Sequence, residues 1–511
     1  MPTDSPSARP LLPQNPDLDH LRGQARTLQR AVRGGDADAA RRVLAHGLAT
    51  EAFTLSSAQL VVAREHGFPS WPKLKHHLDT ITRYRWDPAD AKADTSAEPP
   101  ADRFARLACL SYTEADGPDR WDEAARLLAE HPALVDRSPW AAAAAADLDA
   151  LRRHLAADPA TATRRGGPNG WTPLFHLVYS RLQRTDWPGQ GDPLGCARLL
   201  LGAGADPHEG YLWHGLPTPF TLLTGAFGAG ELGPERQPGH PDSLALARLL
   251  LDAGADPSDG QTLYNRMFGS DDSHLRLLFE YGLGQGDGGV WKARLGDALD
   301  TPQEMLRGQL GWAVNHRLGA RVRLLTEHGV DVRTPLADGR TPAERARRNG
   351  DPELVAYLVA HGAETPAPDP VEALLGAALA GDATEVAALC AAHPTAAAGA
   401  RAARPSAMVW AAAHDGPGAL RILAELGFDV NALGRSDIPS DQPWETALHR
   451  AAGDGDVASV RLLLELGADP AIRDRRFDGT ALDWARHFGH GAVEAALLEL
   501  VEGEEREEGE E

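Results

Sequence analysis

The sequence predicts an all-α fold, a solenoid of stacked helix–turn–helix units with protruding finger loops, and three observations carry that reading. First, the phrase ARLLLGAGADP at 197–207 returns almost unchanged as ARLLLDAGADP at 247–257 and as VRLLLELGADP at 460–470. Such self-similarity marks an array whose units stack on their neighbours instead of folding around one centre. Second, apolar residues recur at helical spacing: Leu448, Ala451 and Ala452 on one stretch, Val460, Leu463 and Leu464 on the next. Third, glycines punctuate the pattern, Gly453 and Gly455 between the stretches and Gly467 after them, where a helix end calls for left-handed backbone. Two short helices cannot bury their apolar faces alone, so they must stack.

Taken in order, residues 1–19 lack apolar periodicity and are expected to be disordered. Residues 20–82 hold two degenerate units, TLQRAVRGGDADAARRVLAHG at 27–47 and FTLSSAQLVVAREHGFPSWPKLKHHL at 53–78. A polar, Pro- and Ala-rich linker is expected over 83–103. The solenoid proper spans 104–501, with irregular units to about residue 300 and the clearest ones over 320–500; an inner helix is expected at Ala141 to Ala146. The Glu-rich end, 502–511, reads as an acidic disordered tail.

Several motifs identify a family. Thr446-Ala447-Leu448-His449, Thr341-Pro342-Ala343-Glu344, Thr172-Pro173-Leu174 and the three LLLxxGADP phrases resemble the ankyrin repeat. Gly329 and Gly362 stand 33 residues apart, which is the ankyrin period. Other spacings depart from it: 50 between Gly204 and Gly254, 28 between Gly254 and Gly282, 40 between Gly427 and Gly467. The likeness is clear from about 171 to 500, and AREHGFPSWPKLK at 63–75 is similar to the opening segment of many bacterial ankyrin proteins. The resemblance implies a concave groove lined by fingers and inner helices, used to bind a protein without catalysis. It also implies that His449 supports neighbouring turns by hydrogen bonds; His176 stands one place later than that role requires.

Composition narrows the partner. With 42% apolar and 24% charged residues the chain is an ordinary folded protein. Arginine outnumbers lysine heavily, which with abundant Ala, Gly and Pro suits a GC-rich bacterial source. A net charge of −22 without a basic stripe argues against nucleic acid and anionic membranes, and favours encounter with a basic or neutral protein. Cys109, Cys196 and Cys390 are too scattered for a disulfide framework, there is no signal-peptide pattern, and no run of about 18 apolar residues exists; a cytoplasmic location is expected. Oligomeric state is not written in these features.

No cofactor or metal is expected. Gly228, Gly230 and Gly233 spell GxGxxG, but they follow a helical run and precede Pro234, which is not the strand-to-helix context a dinucleotide needs. His46, His66, His328 and His361 precede the glycine that ends a second helix, where imidazole meets the negative end of the dipole. Asp271, Asp272 and His274 could serve acid–base chemistry, but Asp272 or Ser273 as a helix cap explains them more simply.

Function is expected where the repeat is interrupted. Segments 181–193 and 226–242 lengthen the turns within adjacent units and should lie side by side, while 208–217 (HEGYLWHGLP) and 433–444 enlarge two fingers. Trp187, Tyr211, Trp213, His214 and Trp444 are therefore the expected partner contacts, since aromatic residues anchor interfaces. Two alternatives stand beside a binding module: an enzyme whose site is formed by the inserted loops of 171–242, and an acidic antagonist that masks a basic, nucleic-acid-binding or toxic protein.

Overall fold

Helix starts in this chain are set by short polar side chains. Thr341, Thr446 and Thr480 each accept from the amide three residues on, and the side chain at that third position returns a bond to the cap's own amide. Second helices begin on aspartates: Asp147, Asp192, Asp351 and Asp456 accept from amides of the first turn. Glycines follow the ends of Pro193–Gly202, Ser243–Asp252 and Val457–Glu465: Gly204, Gly254 and Gly467, with φ of 94°, 103° and 88°.

The computed structural model describes residue 12 and residues 17–88, 98–189, 191–414, 416–436 and 442–508, with side chains as far as residue 499. Most of the expected N-terminal disorder, residues 89–97 of the expected linker, 437–441 of the enlarged finger, and 509–511 of the tail lie outside the described residues. The chain divides into two compact units, Met1–Met305 and Leu306–Glu511.

In the first unit the first helices of successive pairs lie one on the next: Pro100–Ala108, Pro139–Ala144, Pro173–Tyr179, Leu222–Phe227 and Gly260–Met267. A second row follows: Leu148–Ala157, Pro193–Gly202, Ser243–Asp252 and Ser273–Glu280. Ala141 to Ala146 are all buried, small enough for neighbouring helices to approach closely. Ahead of this array Leu18–Arg33, Ala37–Ala45, Leu55–Glu65 and Trp71–Tyr84 close over their own core of Leu21, Leu28, Val43, Val61, Val62 and Leu74.

Helices are not the whole of it. Within the stretch expected to be a linker, Arg85–Trp86 forms a strand parallel to Gly210–Trp213, which pairs antiparallel with Pro219–Thr221. A two-residue strand shows no alternation in sequence, and its partner lies far along the chain, so local pattern could not reveal it.

The second unit repeats the two-row arrangement. Ala407–His414, Ala447–Asp454 and Ala481–His487 stack in one row, with Gly416–Glu425, Val457–Glu465 and Gly491–Glu508 in the other. Its core includes Leu374, Met408, Trp410, Leu420, Leu448 and Leu463. The terminal helix runs on through residues 502–508, where a disordered tail was expected. Glu and Arg are good helix formers, and propagation from a packed start is cheap. No described helix is long and apolar enough to cross a membrane.

Candidate partner-binding surface

The finger that follows Pro193–Gly202 returns as a hairpin. Gly210 is required there, because a Cβ would lie 2.7 Å from the Trp291 ring and 2.9 Å from the Phe220 carbonyl. Trp291 is itself buried and donates its indole N–H to the His208 carbonyl at 3.1 Å. Tyr211 is only 2% exposed. Its ring is stacked at 5.3 Å from Trp171 and 5.4 Å from Phe220, with Trp86 tilted against it at 4.7 Å. This corrects the expectation that Tyr211 forms a contact: its β-strand turns the ring inward, onto an aromatic core.

Trp213 is half-buried and donates to the Ser111 carbonyl at 3.3 Å. His214 is exposed, at φ 50°, with Nδ1 2.8 Å from an Asp87 carboxylate oxygen. Arg85 also donates to that carboxylate, at 2.6 and 2.9 Å. The hydrogen bond from Arg85 first, with His214 adding to it, holds the Asp87 carboxyl below its usual value against the opposing effect of burial. Ile81, Leu212, Trp291 and Leu295 form one apolar cluster, with Tyr84 packed on it. The enlarged finger thus already has an occupant, the chain's own residues 81–87.

The two inserted loops do lie side by side, and they hold one another. Arg181 is wholly buried and donates to four carbonyls: Pro238 at 2.7 Å, Gly225 at 2.5 Å, Ser180 at 2.8 Å and Val178 at 3.1 Å. Burial pulls its pKa down to about 10, so it stays charged at neutral pH. Arg184 adds a bond to the Gly239 carbonyl at 2.7 Å. At Gly228, φ is 59° and a Cβ would sit 2.3 Å from the Pro238 carbonyl. His240 is buried beside these loops; burial first, then Arg181 and Arg184, push its pKa well down, leaving it neutral. Trp187 is half-buried against Gly189 of its own loop, and among the described residues no ring contact joins it to Tyr211 or Trp213.

The acid–base cluster resolves into a cap. Asp272 stands at the N-cap of Ser273–Glu280, as expected, though without a side-chain cap bond; Asp271 beside it accepts from the Ser273 amide at 3.0 Å and from its hydroxyl at 2.8 Å, and Arg266 pairs with Asp271 at 2.6 Å. His274 is fully buried. Burial raises the Cys109 and Cys196 thiols to about 12, which keeps them unreactive. Among the described residues no group of three or more His, Cys, Asp or Glu is placed to hold a metal.

The second unit presents a different surface. Asp474 accepts from the amides of Arg476, Phe477 and Gly479 at 2.8, 2.6 and 2.9 Å, and from the Trp484 indole at 3.0 Å. Burial opposes its charge, but these donors prevail and its pKa is lowered. The turn so fixed leaves Phe477 67% exposed at its tip. Trp484 lies edge-on to Phe477 at 6.2 Å and to Phe488 at 6.3 Å, and Phe488 is 54% exposed. Trp444, half-buried, carries the Arg435 guanidinium 3.6 Å from its ring centre and that of Arg476 at 4.8 Å. The Trp444 carbonyl accepts from the Arg475 amide at 2.8 Å, tying the two fingers together. His449 joins them from below, with Nε2 3.0 Å from the Gly479 carbonyl and Nδ1 2.7 Å from the Thr446 hydroxyl. Trp444 was among the expected contacts, and Phe477, Trp484 and Phe488 were not; DRRFDG, an aromatic residue at a finger tip, was the available sequence signal for them.

No curated protein matches the chain. Among solved structures it is similar to the crystal structure of the human ASB11 ankyrin repeat domain, at 22% identity over 46% of this chain and 96% of that one, with a TM-score of 0.22. The family model described as ankyrin repeats (many copies) matches residues 448–498. Ankyrin repeats are therefore present in the second unit, across the finger and helices that carry Phe477, Trp484 and Phe488.

Proposed function

We propose that the chain is a non-catalytic binding module for another protein, acting in the cytoplasm, and that Trp444, Phe477, Trp484 and Phe488 form its principal contact. The observation carrying this reading is two exposed phenylalanines, Phe477 on a finger fixed by Asp474 and Phe488 at the end of the helix Ala481–His487, inside ankyrin repeats, a class that generally mediates protein binding. Rigid aromatic groups flanked by guanidinium lose little entropy on binding and anchor interfaces. Trp187, Trp213 and His214, all in the first unit, are secondary candidate contacts. The net charge of −22 speeds encounter with a basic partner, with an affinity that falls as salt rises. The inserted loops of 171–242 bond to each other through Arg181 and Arg184, which favours a structural over a catalytic role for them.

The test is capture of a partner from native lysate, its identification, and titration of the purified pair. Changing Phe477 and Phe488 to Ala should weaken binding by roughly a hundredfold, about 2.7 kcal/mol. Changing Trp187 and Trp213 should cost under roughly tenfold. Equal affinity of the phenylalanine variant and the parent would refute the assignment.

A further inference from the structure

A cavity of about 400 Å³ in the first unit stands apart from these surfaces, lined by Arg83, Tyr84, Arg165, Asp206, Glu209 and Arg294 among others. Tyr84 ends the helix Trp71–Tyr84 and meets Trp291 edge-on at 5.0 Å. The Arg294 guanidinium lies 4.8 Å from the Tyr84 ring centre and 4.7 Å from that of Trp291; Arg83 lies 5.4 Å from Tyr84. Neither Arg83 nor Arg294 has a hydrogen bond or carboxylate partner among the described residues.

The two carboxylates of the cavity are already engaged. Glu209, nearly buried, accepts from the Thr172 hydroxyl and lies 3.4 Å from Arg165. Asp206, exposed, accepts from the His208 amide at 2.9 Å. Among the described residues the lining carries three guanidinium groups, Arg83, Arg165 and Arg294, against the two carboxylates Asp206 and Glu209, an excess of positive charge within a chain whose net charge is −22. A dianion relieves repulsion among the guanidinium groups, and their planar fork matches phosphoryl oxygens. The volume is roughly thirteen times the 30 Å³ share of a water, which leaves room for an organic stem beside the phosphoryl group.

We propose that this cavity binds a phosphoryl dianion, free or carried on a small organic molecule, between Arg83 and Arg294. It does not depend on the partner-binding reading, because its test contains no protein partner. The full-length chain is titrated calorimetrically with inorganic phosphate, with glycerol phosphate and with glycerol. One-to-one binding of a phosphate probe, absent for glycerol and weakened by salt, is expected. Arg83→Gln and Arg294→Gln should each reduce affinity by roughly tenfold or more, with unchanged circular dichroism and melting temperature. Equal affinity for both phosphates supports the site with free phosphate as its occupant, and tighter binding of glycerol phosphate supports it with an esterified one. No binding of either up to roughly 10 mM, or binding that survives the double variant, would overturn the proposal.

Discussion

Arg181 shows how a charged residue can be structural without a salt bridge. Four carbonyls from three segments converge on its guanidinium, so removing it strands buried acceptors as well as leaving a cavity. Arg181→Met should lower the stability of the first unit by about 3 kcal/mol or more in urea denaturation. His176 behaves in the opposite way. It is fully buried, and burial lowers its pKa to about 4, so the folded state binds fewer protons than the unfolded one. Its contribution is therefore present above the ordinary histidine value of about 6.5 and is lost as pH falls from there towards 4. His176→Gln should flatten the stability–pH slope in that window by up to about 1.4 kcal/mol per pH unit; an unchanged slope would show that the ring protonates without unfolding. The role of His449 was readable from its motif, because the hydrogen bond to the next turn comes with the repeat. The role of His176 was not, since only its neighbours decide its burial.

Helix pairs and their caps were legible because their causes are local: a Thr or Asp at the start, apolar spacing of three and four, a glycine at the end. The interval of 50 between Gly204 and Gly254 likewise disclosed the insertion at 226–242 and its place beside 181–193. What it did not disclose was whether the loops bind or pack. That depends on where Arg181 and Arg184 reach, which is a property of the folded pair. The finger around Asp474 is a similar case, since the carboxylate gathers four donors within eleven residues and holds Phe477 outward. Asp474→Ala should raise hydrogen exchange at the Phe477 and Gly479 amides by at least roughly tenfold, and leave exchange in Leu18–Arg33 unaltered. Protection that stays intact would mean the turn is held by the repeats themselves.

Across the whole molecule, the least expected feature is the closure of the Gly210–Trp213 finger by Arg85–Trp86. Trp86 packs on Trp171 and Tyr211 at 4.9 and 4.7 Å while remaining half-exposed. Trp86→Ala should therefore cost the first unit about 2 kcal/mol, less than loss of a fully buried indole, and should increase binding of a hydrophobic dye. A variant as stable as the parent would show the closure to be incidental. Composition and repeat pattern were enough to establish the helical units, their caps, the excess of negative charge and the positions of the irregular loops, because each follows from residues within one or two turns of each other. Tertiary structure alone decided that Tyr211 faces the core, that residues 81–87 occupy the finger, and that Phe477 and Phe488 remain exposed. Those outcomes rest on contacts between segments more than a hundred residues apart, or on which side of a turn meets solvent, and neither leaves a periodic trace in the chain.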